Sequence, residues 1–238
     1  MITLITFPPA FGQPASSPFC VKAMCLLELS GADWQAEEIA TPVEMPMQKL
    51  PVIRHDGRLI ADSNAIRHYL EARGHDFDAG LSPAERAQSL ALIRMIEEHF
   101  YFSVVLDRWE NDTVWPKIRD TYFGGIPEAV RDQVTTDIRD TLLAGLRTQG
   151  EIRFSLEERL IRAKADLEAV RVLLGDKPYL FGDTPSAADC AVAPMIAGAA
   201  ATPADTPLAT LVRDNKVLMA YCARFAAKAY PALQTEAA

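Results

Sequence analysis

Two short stretches carry residues whose types and spacing can do chemistry. In one, Asp62 and Ser63 follow an apolar run, Leu59-Ile60-Ala61, and precede Ile66, Tyr69 and Leu70 at helical spacing. That puts the pair on the lip of a helix, with Ser63 read as its cap and Gly74 as its stop. The first amides of a helix lack intrahelical partners and the macrodipole favours negative charge there, so such a lip receives small anions. Asp62 can take a protonated amine while the Ser63 hydroxyl and the free amides take a carboxylate, which together describe the end of a free α-amino acid. The competing reading gives both residues a capping duty alone. In the other stretch, Ser17-Pro18-Phe19-Cys20 sets a capping serine before a proline at the first helical position, with a cysteine inside the first turn. A thiol there can have a depressed pKa. Cys20 can equally be a small packing residue, as Cys25, Cys190 and Cys222 are expected to be in their apolar helical surroundings.

The elements that must position these residues follow from local pattern. Ile2-Thr3-Leu4-Ile5-Thr6-Phe7 is β-branched and apolar, as a buried first strand should be, and Pro8-Pro9 ends it. An apolar-rich helix runs from Pro18 to near Gly31, and Trp34 to Ile39 reads as a second strand. Pro51 opens Val52-Ile53, Asp56-Gly57 is a hairpin turn, and Leu59-Ile60-Ala61 returns antiparallel. Two prolines between Ile39 and Pro51 leave no room for a full helix. After a linker from His75 to Leu81 the chain turns helical. Ser82-Pro83-Ala84-Glu85 spells a capping box, and Leu90, Ile93, Ile96, Phe100 and Val104 run down one face as far as Glu110. Further helices are expected over 128–146, from Ser155 to Gly175 with Leu160, Ala163, Leu167, Val170 and Leu174 inward, and over 214–227 before Pro231. Ser186 and Asp189 form another box, opening a helix that Pro194 should bend or interrupt.

Composition bounds the rest. The chain has 238 residues, about half of them apolar, enough for one large or two modest domains with a real core. A formal net charge of -8 argues against a nucleic-acid or anionic-membrane partner. No apolar run is long enough for a membrane span, and no secretory signal is read at the N-terminus, so a cytoplasmic location is expected. The four cysteines lack zinc-type pairing with histidine; reduced thiols are expected and a metal site is not.

A proline before a strand, a hairpin, then Asp-Ser starting a helix resembles the glutathione-binding half of a glutathione transferase, and the Ser186 box resembles the one in the buried helix of that family's second domain. The resemblance implies a thioredoxin-like domain over 1–76 followed by an all-α domain over 82–238. The aromatic middle, from Phe100-Tyr101-Phe102 to Tyr122-Phe123, looks nearest the metaxin and failed-axon-connections branch. It further implies that Pro51 is cis, that Leu50 offers its backbone to the cysteinyl part of glutathione, and that Asp62 and Ser63 hold the γ-glutamyl end. Ser17 then faces the sulfur as hydrogen-bond donor to a thiolate, with Ser16 the substitute one position back and Phe19 beside it. A thiol of pKa ~8.5 is a few per cent ionised at pH 7, and lowering it by about two units raises the thiolate roughly twentyfold. The family usually has a helix and a longer loop before Pro51, a pattern from which this chain departs, and Lys49 is the candidate for the glycyl carboxylate.

The implied activity is conjugation of glutathione, as co-substrate, to a small hydrophobic electrophile in a cleft lined by Phe11, Tyr101, Phe102, Trp109, Trp115 and Tyr122 or a subset, with the others in the core. A homodimer and a role in detoxification go with the family. Two alternatives stand beside it. One is a non-catalytic binding or adaptor protein that keeps the fold. The other is a glutathione-dependent reductase working through Cys20, since Ser17-Pro18-Phe19-Cys20 is similar to the glutaredoxin motif with its first cysteine replaced by serine.

Overall fold

The computed structural model describes residues 1–229; residues 230–238, which end the expected second domain and include Pro231, lie outside the described residues. Four strands, β1 (Ile2–Thr6), β2 (Trp34–Glu38), β3 (Val52–His55) and β4 (Arg58–Ala61), form one sheet in the order β2-β1-β3-β4. β1 runs parallel to β2 and antiparallel to β3, so a crossover helix must join the parallel pair. That helix is α1 (Pro18–Ser30). The hairpin β3–β4 pairs Val52 with Ala61 and His55 with Arg58. Asp56 and Gly57 both take positive φ, 50° and 72°, as the tight turn of a two-residue hairpin requires.

α1 shows why an apolar run without amphipathic rhythm belongs in the middle of a molecule. Every residue from Cys20 to Leu27 is buried, because the helix lies between the sheet and a later helix, α8 (Ala187–Ala200). Ser17 precedes it in extended conformation and Gly31 ends it at φ 65°. Between β2 and β3 only a short 3-10 turn, Pro46–Gln48, breaks the loop, as the two prolines anticipate.

After α2 (Ser63–Glu71) the chain is helical throughout its described length: α3 (Pro83–Met95), a π turn (Ile96–Phe100), α4 (Tyr101–Trp109), α5 (Trp115–Tyr122), α6 (Glu128–Gln149), α7 (Leu156–Leu174), α8, α9 (Pro207–Asp214) and α10 (Lys216–Ala229). Both halves of the capping box are present at Ser82 with Glu85, at Ser155 with Glu158 and at Ser186 with Asp189. Asp189 is fully buried, yet accepts hydrogen bonds from the Leu180 and Ser186 amides and from the Ser186 and Tyr221 hydroxyls. That network fixes the start of α8 at the centre of the molecule.

Two expectations need correction, and one helix is an addition. Leu90 is 52% exposed, not inward; Ser89 takes the core side, because its hydroxyl donates to the buried Asp78 carboxylate. α8 runs through Pro194 without interruption, since packing from α1, α3 and α10 holds it from several sides. The last helix, expected over 214–227, is α10; α9 before it is an addition, set off at Asn215, whose side chain accepts from the Leu218 amide.

Candidate functional site

The α2 lip is built from a strained residue. Asp62 adopts φ 81°, ψ 132°, outside the regions an L-residue prefers, at a cost of about 1–3 kcal/mol. In that pose Asp62 Oδ1 accepts from the Asn64 and Ala65 amides at 2.8 and 3.0 Å. Asp62 is therefore the N-cap, and Ser63 is the first helical residue rather than the cap the sequence suggests. The side chain of Asp62 is exposed and one of its oxygens does the capping, which leaves Oδ2 free for a donor from outside.

Freed from capping, Ser63 is 1% exposed and its hydroxyl has no hydrogen-bond partner within the described residues. A buried hydroxyl left unpaired costs about 1–3 kcal/mol, so it marks a place where a partner belongs. Beside it the Leu50–Pro51 peptide is cis, and the Pro51 carbonyl accepts from the Asp62 amide at 3.1 Å, tying the turn to the lip. Leu50 is buried, but its amide and carbonyl have no backbone partner among the described residues. An unpaired backbone next to the lip can pair with an extended peptide. Lys49 is exposed.

Behind the lip lies a charged group that sequence reasoning missed. Lys22, on α1, is 1% exposed; its ammonium pairs with Glu97 Oε1 and donates to Asn64 Oδ1 at 2.7 Å. Asn64 in turn donates to Glu97 Oε2 at 2.8 Å. Burial pushes the Lys22 pKa down, against the pull of Glu97. The one signal for it was a lone lysine within the apolar run Val21 to Leu27.

At the start of α1, Ser16 and Ser17 are half-buried, and the Ser17 hydroxyl does not cap its own helix. Cys20 is fully buried, and burial raises its thiol pKa, against weaker lowering by the Thr6 hydroxyl, the Phe7 backbone and the Ser17 hydroxyl. Cys20 thus has the setting of a packing residue, one of its two readings; the other, a nucleophilic or redox thiol, needs the opposite shift and access to solvent. The other three cysteines are buried and free, as expected.

The expected aromatic lining separates into two groups. Tyr101 packs edge-on against Phe19, with centroids 4.9 Å apart, and on Phe102. Phe11, Trp109, Trp115, Tyr122 and Phe123 form a second cluster around Val114 and Ile118. Trp115, at 9% exposure, is core rather than lining. Tyr122 is bonded rather than open: the Arg108 guanidinium donates to its hydroxyl at 3.0 Å, and that hydroxyl donates to the Ser16 carbonyl at 3.3 Å. Burial pushes the Tyr101 phenol up to about 12 and raises that of Tyr122. The cavity bordered by Phe11, Ser16, Pro18 and Arg108 holds only about 10 Å³. No group of three or more metal-ligating side chains occurs among the described residues, and none of their helices is long and apolar enough to cross a membrane.

Known proteins resemble this chain over most of its length. Residues 18–114 match the family described as glutathione S-transferase N-terminal domain, and residues 163–225 match glutathione S-transferase, C-terminal domain. The chain is 35% identical over 196 residues to isoprene-epoxide–glutathione S-transferase of Rhodococcus sp. strain AD45, covering 77% of this chain and 80% of that one. It is 25% identical over 193 residues to Failed axon connections of Drosophila melanogaster, covering 74% of this chain and 44% of that one. A crystal structure of a glutathione transferase family member from Pseudomonas fluorescens Pf-5, with two glutathione bound, superposes at a TM-score of 0.63 with 18% identity, over 99% of this chain and 91% of that one.

Proposed function

Since the chain belongs to the glutathione transferase family, we propose that it conjugates glutathione to a small hydrophobic electrophile, with Ser17 stabilising the thiolate. The observation that carries this reading is the Ser63 hydroxyl, buried and unpartnered on a lip whose Asp62 is held in a strained pose. The γ-glutamyl end of glutathione supplies what the lip lacks: a carboxylate for the Ser63 hydroxyl and an ammonium for Asp62. Its cysteinyl amide and carbonyl pair with the Leu50 backbone, which directs the sulfur toward the start of α1. There the Ser17 hydroxyl donates to the thiolate, and the dipole of α1 adds positive potential at its start.

The electrophile is best read as a small epoxide. The relative from Rhodococcus carries that substrate in its name. In that reaction the sulfur attacks an epoxide carbon as its C–O bond breaks, and the resulting alkoxide takes a proton from water, giving a thioether alcohol. A cytoplasmic location, a homodimer and a detoxifying role belong to the same proposal. The decisive experiment is calorimetry of glutathione binding, paired with a conjugation assay on small epoxides. Binding with turnover supports the reading, and absence of heat at millimolar glutathione overturns it. Binding without turnover on any small electrophile would favour a non-catalytic binding protein, the reading to which the filled aromatic cluster points.

A further inference from the structure

Arg108 is the buried charge that this reading has not used. It is 6% exposed, and its hydrogen-bond partners are neutral: the Thr202 hydroxyl at 3.3 Å, the Tyr122 hydroxyl at 3.0 Å and the Gly198 carbonyl. Lys22, the other buried cation of the cleft, shows the contrast, because it has Glu97 as counter-ion. A guanidinium withdrawn from water without a carboxylate is costly, and a guanidinium cannot shed its proton to escape that cost. Three neutral acceptors satisfy its geometry without supplying a bonded counter-charge.

Where that charge sits gives it a use. Arg108 lies seven residues after Tyr101, on the face of α4 that meets the first half of the chain. Its guanidinium lines the small cavity behind Ser16 and Pro18, at the very start of α1. Through the Tyr122 hydroxyl it also ends a relay on the Ser16 carbonyl, one residue before Ser17. The neighbouring carboxylate, Asp107, accepts instead from the Thr206 hydroxyl at 2.7 Å, turned toward α9.

We propose that Arg108 is a positioning residue for the conjugation: through Tyr122 it fixes the loop bearing Ser16 and Ser17, and its charge, bonded to no carboxylate, stabilises the thiolate held there. This rests on the glutathione-binding reading. It explains how a chain of formal net charge -8 offers a favourable potential to an anionic sulfur. Of the ionisable groups facing Arg108, only Asp107 offsets part of its charge near neutral pH. Burial keeps Tyr101 and Tyr122 protonated and Cys20 beyond them is a neutral thiol, whereas the Asp107 carboxylate, held by the Thr206 hydroxyl, draws on the Arg108 charge as well as on that of Arg159.

The test follows the ionisation of bound glutathione by its ultraviolet thiolate absorbance against pH, with calorimetry for affinity, in the full chain and in R108M, R108K and Y122F. In R108M the bound thiol should titrate about one unit higher than in the unmodified protein, a roughly tenfold loss of thiolate below its pKa. R108K, which keeps the charge but loses the planar fork, should keep the lowered titration. Y122F should keep it too while binding glutathione severalfold more weakly, because the loop loses its tie. A purely structural arginine would lower stability in R108M and leave the titration where it was; that result overturns the inference. Should R108M fail to fold, Y122F and R108K decide, and unchanged glutathione affinity in Y122F or a raised titration in R108K overturns it. If the unmodified protein binds no glutathione, the functional reading itself has failed and the inference falls with it.

Discussion

At the scale of single residues, Ser17 and Ser63 make opposite demands on stability and function. Ser17→Ala removes a hydrogen bond to a charged sulfur, worth about 1.5–3 kcal/mol. The expected outcome is a fall in kcat/KM of about 10- to 100-fold, with glutathione affinity largely kept, read by steady-state kinetics beside calorimetry. Ser63→Ala should separate the two properties with opposite sign. It removes an orphaned hydroxyl, so the protein alone should melt higher, by about 1 kcal/mol of stability, while glutathione binding weakens about tenfold or more. Lower stability together with unchanged affinity would mean that Ser63 is only a packing residue. For Cys20 the expectation is inertness: iodoacetamide should leave it unmodified in the native protein and label it after unfolding, because it is fully buried and its thiol pKa is raised. These residues were legible because capping, proline and turn signals are local. The exchange of roles between Asp62 and Ser63 was not, because it depends on one positive φ that no spacing encodes.

At the scale of elements, the lip depends on a strut from the helical half. Glu97, in the π turn between α3 and α4, reaches Lys22 on α1 and Asn64 in the first turn of α2, so three elements meet on one carboxylate. Glu97→Gln leaves the Lys22 ammonium buried without a counter-ion, and breaking such a pair costs about 3–5 kcal/mol. Denaturant unfolding should show a loss of that size, and the double substitution Lys22→Met with Glu97→Leu should recover most of it. Similar losses in the single and double variants would mean that the pair acts through shape rather than charge. Sequence alone could not reveal this strut, since Lys22 and Glu97 stand 75 positions apart and neither belongs to a motif. The capping boxes at Ser82, Ser155 and Ser186 were legible for the converse reason: their partners lie three residues apart. Leu90 shows where periodicity misleads, because Ser89 and Leu90 both fit a 3.6-residue rhythm and only the contact with Asp78 chooses between them.

At the scale of the molecule, the two halves share one interior. The main apolar cluster runs from Leu4 and Ile53 in the sheet through α1 to Ala187, Val192 and Ile196 in α8 and Phe225 in α10. α1 has no solvent face through its middle, and Gly198 of α8 faces the Pro18 side chain, where an added Cβ would make ordinary contact at 3.8 Å. Asp78 fastens the same junction from the connecting loop. It is 3% exposed, pairs with Arg67 of α2 at 2.9 Å, and accepts from the Ser89 hydroxyl of α3 and from the Ala187 amide that opens α8. A sheet domain that cannot cover α1 by itself cannot fold alone, so residues 1–76 expressed as a fragment should stay unfolded by circular dichroism. The whole chain should unfold in one calorimetric transition. Asp78→Ala should lower that single transition by roughly 4–12 °C, from a loss of about 2–3 kcal/mol, because every bond it removes crosses between elements. Two separate transitions in this variant, or a folded fragment, would show that the halves are independently stable and that the cleft is a joint between them. A single transition makes the cleft part of one rigid interior, in which the spacing between the α2 lip and Ser17 is held by the same apolar contacts that hold the fold.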